Sequence, residues 1–145
     1  MKLIHSVIFL SVLIVLLPVT PVLGSDWVEY GKTSLGDVYS YNKVKIKHRK
    51  NAVQVWVRFV YSDEGRKRYI QGMRKYGGST EGYDNLSQTL TLYEINCEKG
   101  MSRVLSIIEY NNQGVTLYRG SSDKSKWIYI VPGSVKDNLR KKICK

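Results

Sequence analysis

Residues 52–61 read AVQVWVRFVY, and this stretch decides the fold. Val53, Val55, Val57 and Phe59 alternate with Gln54, Trp56 and Arg58. An extended chain turns successive side chains to opposite faces, so a period of two gathers the valines and Phe59 on one side of a sheet. β-branched and aromatic residues also suit a pleated, half-buried surface. Trp56 on the other side predicts partial cover there too.

The same pattern extends both ways. On the N-terminal side, residues 26–31 hold Trp27, Val28 and Tyr30, and residues 37–48 hold Val38, Tyr39, Tyr41, Val44 and Ile46. On the C-terminal side, residues 88–97, 103–110, 115–119 and 126–131 continue the strand pattern. Between them, residues 98–100 and 111–114 each end in glycine, which permits the positive backbone angle of a tight turn. Strands so closely spaced predict an antiparallel meander. Two segments break the period. Residues 63–76 fit a short helix with Tyr69, Met73 and Tyr76 on one side, although Gly65 and Gly72 weaken it. Beyond Ser134, a helix cap, Val135, Leu139 and Ile143 recur every four residues and form one apolar stripe. The expected class is therefore α+β, an antiparallel sheet with a C-terminal helix.

The N-terminal segment differs from all of this. Met1 and Lys2 precede a run of about 15 residues, Leu3 to Leu17, that is apolar apart from His5, Ser6 and Ser11. Pro18 and Pro21 end it. A bilayer span needs about 20 apolar residues, whereas a short basic start, an apolar run and a small-residue end make a cleavable export signal. Residues 1–24 are expected to be that signal, leaving residues 25–145 as one domain with no integral membrane span. An oxidising destination then favours joining Cys97 to Cys144, the only two cysteines. The bond would close a loop of about 48 residues, for which chain entropy gives about 4 kcal/mol. The alternative is two separate buried thiols.

Little in the sequence points to catalysis. Past the expected signal His48 is the one histidine, set between Lys47 and Arg49 with no nucleophile beside it. The 12 acidic residues do not cluster; Glu94 and Glu109 read as strand residues paired with lysines across the sheet. With one histidine and both cysteines committed, no catalytic residue, metal site or cofactor is expected. Charge and aromatics remain. The chain carries a net charge of +11, eleven tyrosines and three tryptophans. Lys43, Lys45 and Lys47 alternate and would share a strand face. Arg66, Lys67, Arg68, Arg74 and Lys75 form a second basic group. Lys136, Arg140, Lys141, Lys142 and Lys145 form a third, with Lys136 and Arg140 neighbours on an exposed helix side. Such a charge favours anionic partners: an anionic polymer, a sulfated glycan, or an extracellular or envelope protein. Export argues against nucleic acid. The alternative is a solvated surface whose lysines discourage edge-to-edge pairing.

Trp27 opens the domain. Tyr83 and Ser87 precede Tyr93-Glu94-Ile95-Asn96-Cys97, the strand from Arg103 to Tyr110 follows, then Gly114, and Trp127, Ile130, Pro132, Ser134 and Val135 lead to Cys144. Over residues 26–145 this arrangement resembles the bacterial surface-adhesin protein E family, most specifically in the two cysteines with the Trp and Pro-x-Ser between them. The resemblance implies a small antiparallel sheet with a disulfide-linked C-terminal helix, in a bacterial envelope protein. The family's named adhesin binds host extracellular-matrix proteins. This sequence departs from it in having no lipid-attachment cysteine near the expected cleavage point, and no binding residue is carried over.

The reading that follows is an exported, non-enzymatic, adhesin-like binding module, periplasmic, secreted or on the cell surface. Its expected anionic-ligand surface comprises Lys43, Lys45, Lys47, Lys136, Arg140, Lys141 and Lys142. The competing reading is a structural or accessory protein of the periplasm with no adhesive role.

Overall fold

The computed structural model describes residues 26–145; the expected signal peptide lies outside the described residues. In chain order the elements are β1 (Trp27–Lys32), β2 (Val38–Asn42), β3 (Lys47–Arg49), β4 (Ala52–Val60), α1 (Asp63–Lys75), a 3₁₀ turn (Tyr83–Asn85), β5 (Leu86–Asn96), β6 (Met101–Asn111), β7 (Thr116–Ser121), β8 (Ile128–Tyr129) and α2 (Val135–Ile143). The eight strands form one antiparallel sheet in the order β1-β2-β4-β5-β6-β7. β3 sits on β4 and β8 on β6. This is the α+β meander that the strand pattern predicts.

The sheet is built around β4. Val53, Val55 and Val57 are buried on one face, with Ile95 opposite Val53. Leu139 and Ile143 of α2 and Ile130 complete that core. Ser134 caps α2, its Oγ accepting the Asp137 N–H at 3.2 Å. Val135 lies over Gly31, where even a methyl group would come within 2.8 Å of its Cγ1. The disulfide joins Cys97, just beyond β5, to Cys144 at the end of α2. A smaller core of Ile70, Tyr83 and Leu86 lies under α1 at the other end of the sheet. The two helices therefore cover opposite ends of one face.

The glycine that weakens α1 locally is what lets it dock. Asp37 Oδ1 accepts the backbone N–H and the hydroxyl of Ser62 at 2.8 and 2.9 Å, and its Oδ2 accepts Thr33 Oγ1 at 2.8 Å. Ser62 in turn caps α1 by accepting the Gly65 N–H at 2.9 Å. A Cβ on residue 65 would collide with the Asp37 carboxylate.

The structure departs from the sequence reading at residues 37–48, which are two strands and not one. Tyr41 lies opposite Val57 and Lys47 opposite Gln54, so six positions on one strand face three on its partner. The excess sits at residues 43–46, where Asn42 Oδ1 accepts the N–H groups of Val44 and Lys45 at 3.1 and 2.9 Å. An asparagine side chain that holds the backbone this way competes with the strand ladder. Because three is odd, the bulge inverts the alternation. Tyr39 and Tyr41 pack against the core cluster before it, and Ile46 does so after it.

Candidate functional site

Seven cations are expected to form a binding surface, and the fold treats them differently. Lys43 is exposed in the bulge, its N–H bound to the Asp26 carbonyl at 2.9 Å. Lys45 and Lys47 border a hollow of about 330 Å³ beside Gln54, Trp56 and Leu92. The bulge thus removes the single strand that was to align all three. On α2, Lys136 is half-buried, with Nζ 4.6 Å from the centre of the Tyr93 ring. Burial lowers its pKa. Arg140 grips Asp137 Oδ1 through Nε and Nη2 at 3.0 and 2.8 Å, and Lys141 Nζ lies 2.9 Å from Asp137 Oδ2. So Lys136 and Arg140 are not a free exposed pair; Lys141 and Lys142 both reach solvent, Lys141 while paired to Asp137. Glu94 and Glu109 also differ from expectation. Glu94 binds Gln54 and Arg103; burial raises its pKa, but those hydrogen bonds and the Arg103 charge outweigh it and leave it lowered. Glu109 accepts from two tyrosines instead of a lysine.

Asp137 is almost fully enclosed. The Gly133 N–H, then Lys141 and Arg140, hold its carboxyl well below the usual carboxylate range against the opposing effect of burial. Its stabilising contribution is therefore complete above the ordinary aspartate value of about 3.9 and is lost as pH falls below it. Asp137→Asn is expected to flatten the acid limb of a plot of Tm against pH. An unchanged acid limb would assign that limb to other groups.

One end of the sheet gathers exposed cations that pattern reading had left scattered. β3 pairs with the first residues of β4, and Val53 on β4 lies opposite Ile95, near the end of β5. The turn of residues 97–100 is therefore about 10 Å from β3, two strand spacings away. Cys144, tied to Cys97 at a Cα–Cα distance of 5.6 Å, brings the end of α2 to the same place. Lys47, Arg49, Lys50, Lys99, Lys142 and Lys145 all stand exposed at this end, Lys47 and Arg49 toward the open face and Lys142 and Lys145 at the end of the helix on the other, with Glu98 as the acid in the turn. The loop closure that collects them is visible in the sequence only as a pair of cysteines.

A second feature was missed from sequence. Between α1 and α2 the covered face opens into a trough of about 680 Å³ lined by Tyr39, Phe59, Tyr61, Tyr69, Tyr76 and Tyr93. Ring centres step along it at 4.5 Å from Tyr39 to Phe59, 4.6 Å to Tyr61 and 5.3 Å to Tyr69. Burial is the main reason the Tyr61 hydroxyl is pushed up to about 12. The sequence signal was the tyrosine count, which does not say that the rings converge.

The family model for surface-adhesin protein E matches residues 27–145. The chain belongs to the surface-adhesin protein E family. Two crystal structures of Haemophilus influenzae protein E share its fold. One aligns at a TM-score of 0.54 and 14% identity over 83% of this chain and 87% of that one, another at 0.51 and 12% over 86% and 79%. At that identity the likeness carries the fold alone. Among curated proteins none matches the sequence. Membership in a surface-adhesin protein E family points to an exported or cell-surface protein. Among the described residues no helix is long and apolar enough to cross a membrane, and no group of three His, Cys, Asp or Glu side chains could hold a metal ion.

Proposed function

We propose that the chain is an exported, non-enzymatic, adhesin-like module whose basic end holds an anionic macromolecule, such as a sulfated or acidic glycan or an acidic envelope or extracellular protein. The observation that supports this most is the gathering of Lys47, Arg49, Lys50, Lys99, Lys142 and Lys145 at the disulfide end. No ion pair holds any of these six among the described residues, in contrast to Arg140 and Lys141. Several exposed cations acting together attract a polyanion, and salt screens them over about 10 Å at 0.1 M.

Retention on immobilised heparin across a salt gradient tests this. Lys47→Gln, Arg49→Gln, Lys50→Gln and Lys142→Gln combined should elute at clearly lower salt than the wild type with an unchanged Tm. Changing Arg140 and Lys141 instead should cost stability more than retention. If the fourfold variant and the wild type elute together, the basic end is a solvated surface, and the periplasmic accessory reading replaces this one.

A further inference from the structure

The basic end carries something a purely electrostatic surface does not need. Ile128, Tyr129 and Val131 are 66%, 75% and 69% exposed within four consecutive residues. They belong to β8 and its continuation, which run toward the same end: Tyr129 pairs with Met101, and the Ile130 N–H donates to the Gly100 carbonyl at 2.8 Å. Ile130 between them is buried and fixes the segment to the core. Strand alternation turns Tyr129 and Val131 to one side and Ile128 to the other, so two large apolar side chains are held outward together on an anchored strand. Lys99 lies across the turn and Lys126 just upstream, both exposed, with Lys142 and Lys145 beside the disulfide.

Resting on the reading that this end is the binding face, we infer that its partner is an anionic lipid surface, with Tyr129 and Val131 entering the headgroup layer between the surrounding lysines. Charge complementarity and the placement of the apolar group together favour a bilayer over a soluble polyanion. A hydrated glycan would leave both apolar side chains in water, whereas an interface buries them while each nearby cation meets a negative headgroup. Tyrosine suits the role because its ring enters the apolar boundary while its hydroxyl stays wet.

Co-sedimentation with vesicles tests it, using equal parts phosphatidylcholine and phosphatidylglycerol against phosphatidylcholine alone. The wild type should bind the anionic vesicles, and Tyr129→Ser with Val131→Ser should weaken that binding by about tenfold or more, given the apolar area withdrawn. Because both side chains are exposed, circular dichroism and heparin retention should not change. Vesicle binding by the double variant equal to that of the wild type would overturn the inference. So would a wild type retained on heparin but absent from the anionic vesicles, which would leave the proposed function standing. Binding to neither would overturn both.

Discussion

Reducing the Cys97–Cys144 bond, or replacing Cys97 by Ser, is expected to lower stability by about 4 kcal/mol, the chain-entropy value for a loop of this length. The bond spans 47 residues of sequence and ties α2 to the end of β5. Its loss should act mainly on α2, which has only nine residues and is too short to persist without docking. Leu139 and Ile143 would then leave the core facing Val53 and Val55. Thermal unfolding with and without reductant measures the effect. Equal Tm values in the two conditions would mean that packing alone holds the helix.

The second large effect is expected at Glu109, which is 3% exposed. Its Oε1 accepts the Tyr69 hydroxyl and its Oε2 the Tyr83 hydroxyl, both at 2.6 Å. Each such bond to a charged acceptor contributes roughly 1.5–3 kcal/mol. Glu109→Ala should therefore cost about 3 kcal/mol, since one freed hydroxyl can regain water. Glu109→Gln, which keeps an acceptor, should cost about half as much on the same scale. Chemical denaturation gives the total, and amide exchange should show α1 opening ahead of β4 and β5. A fully stable Glu109→Ala would mean that Ile70 and Leu86 hold α1 without the carboxylate.

β4 was legible because burial on one face writes itself into every second residue, Val53, Val55 and Val57. In β5 and β6 the neighbours Glu94 and Ile95, and Ile108 and Glu109, are both buried, and these strands were legible from their β-branched and aromatic content and the turns between them. The helices were legible from Ser134 and the stripe on α2, and less so for α1, whose Gly65 reads as a flaw until Asp37 is seen above it. The interruption at residues 43–46 was written in the sequence but passed over: apolar side chains stand at odd positions in Tyr39 and Tyr41 and at even ones in Val44 and Ile46, a change of phase that an unbroken strand does not make, with Asn42 at the break. The basic surface was half legible. Charges can be counted along a chain, but whether a lysine is free depends on partners folded in from elsewhere, as Tyr93 is for Lys136. Glu109 was misread for the same reason: its tyrosines arrive from α1 and the 3₁₀ turn.

The two faces of the sheet differ in kind of ring. Tyr39, Tyr61, Tyr69 and Tyr93 line the trough on the helix-covered face. Trp27 and Trp127 lie on the other, where Arg58 and Arg103 sit 4.7 and 4.8 Å from their ring centres, and Trp56 projects there from β4. The molecule therefore carries separate optical reporters front and back. A compound entering the trough would disturb tyrosine absorption first, while one settling on the open face would quench or shift the indole emission, so a single titration can tell which side has been occupied.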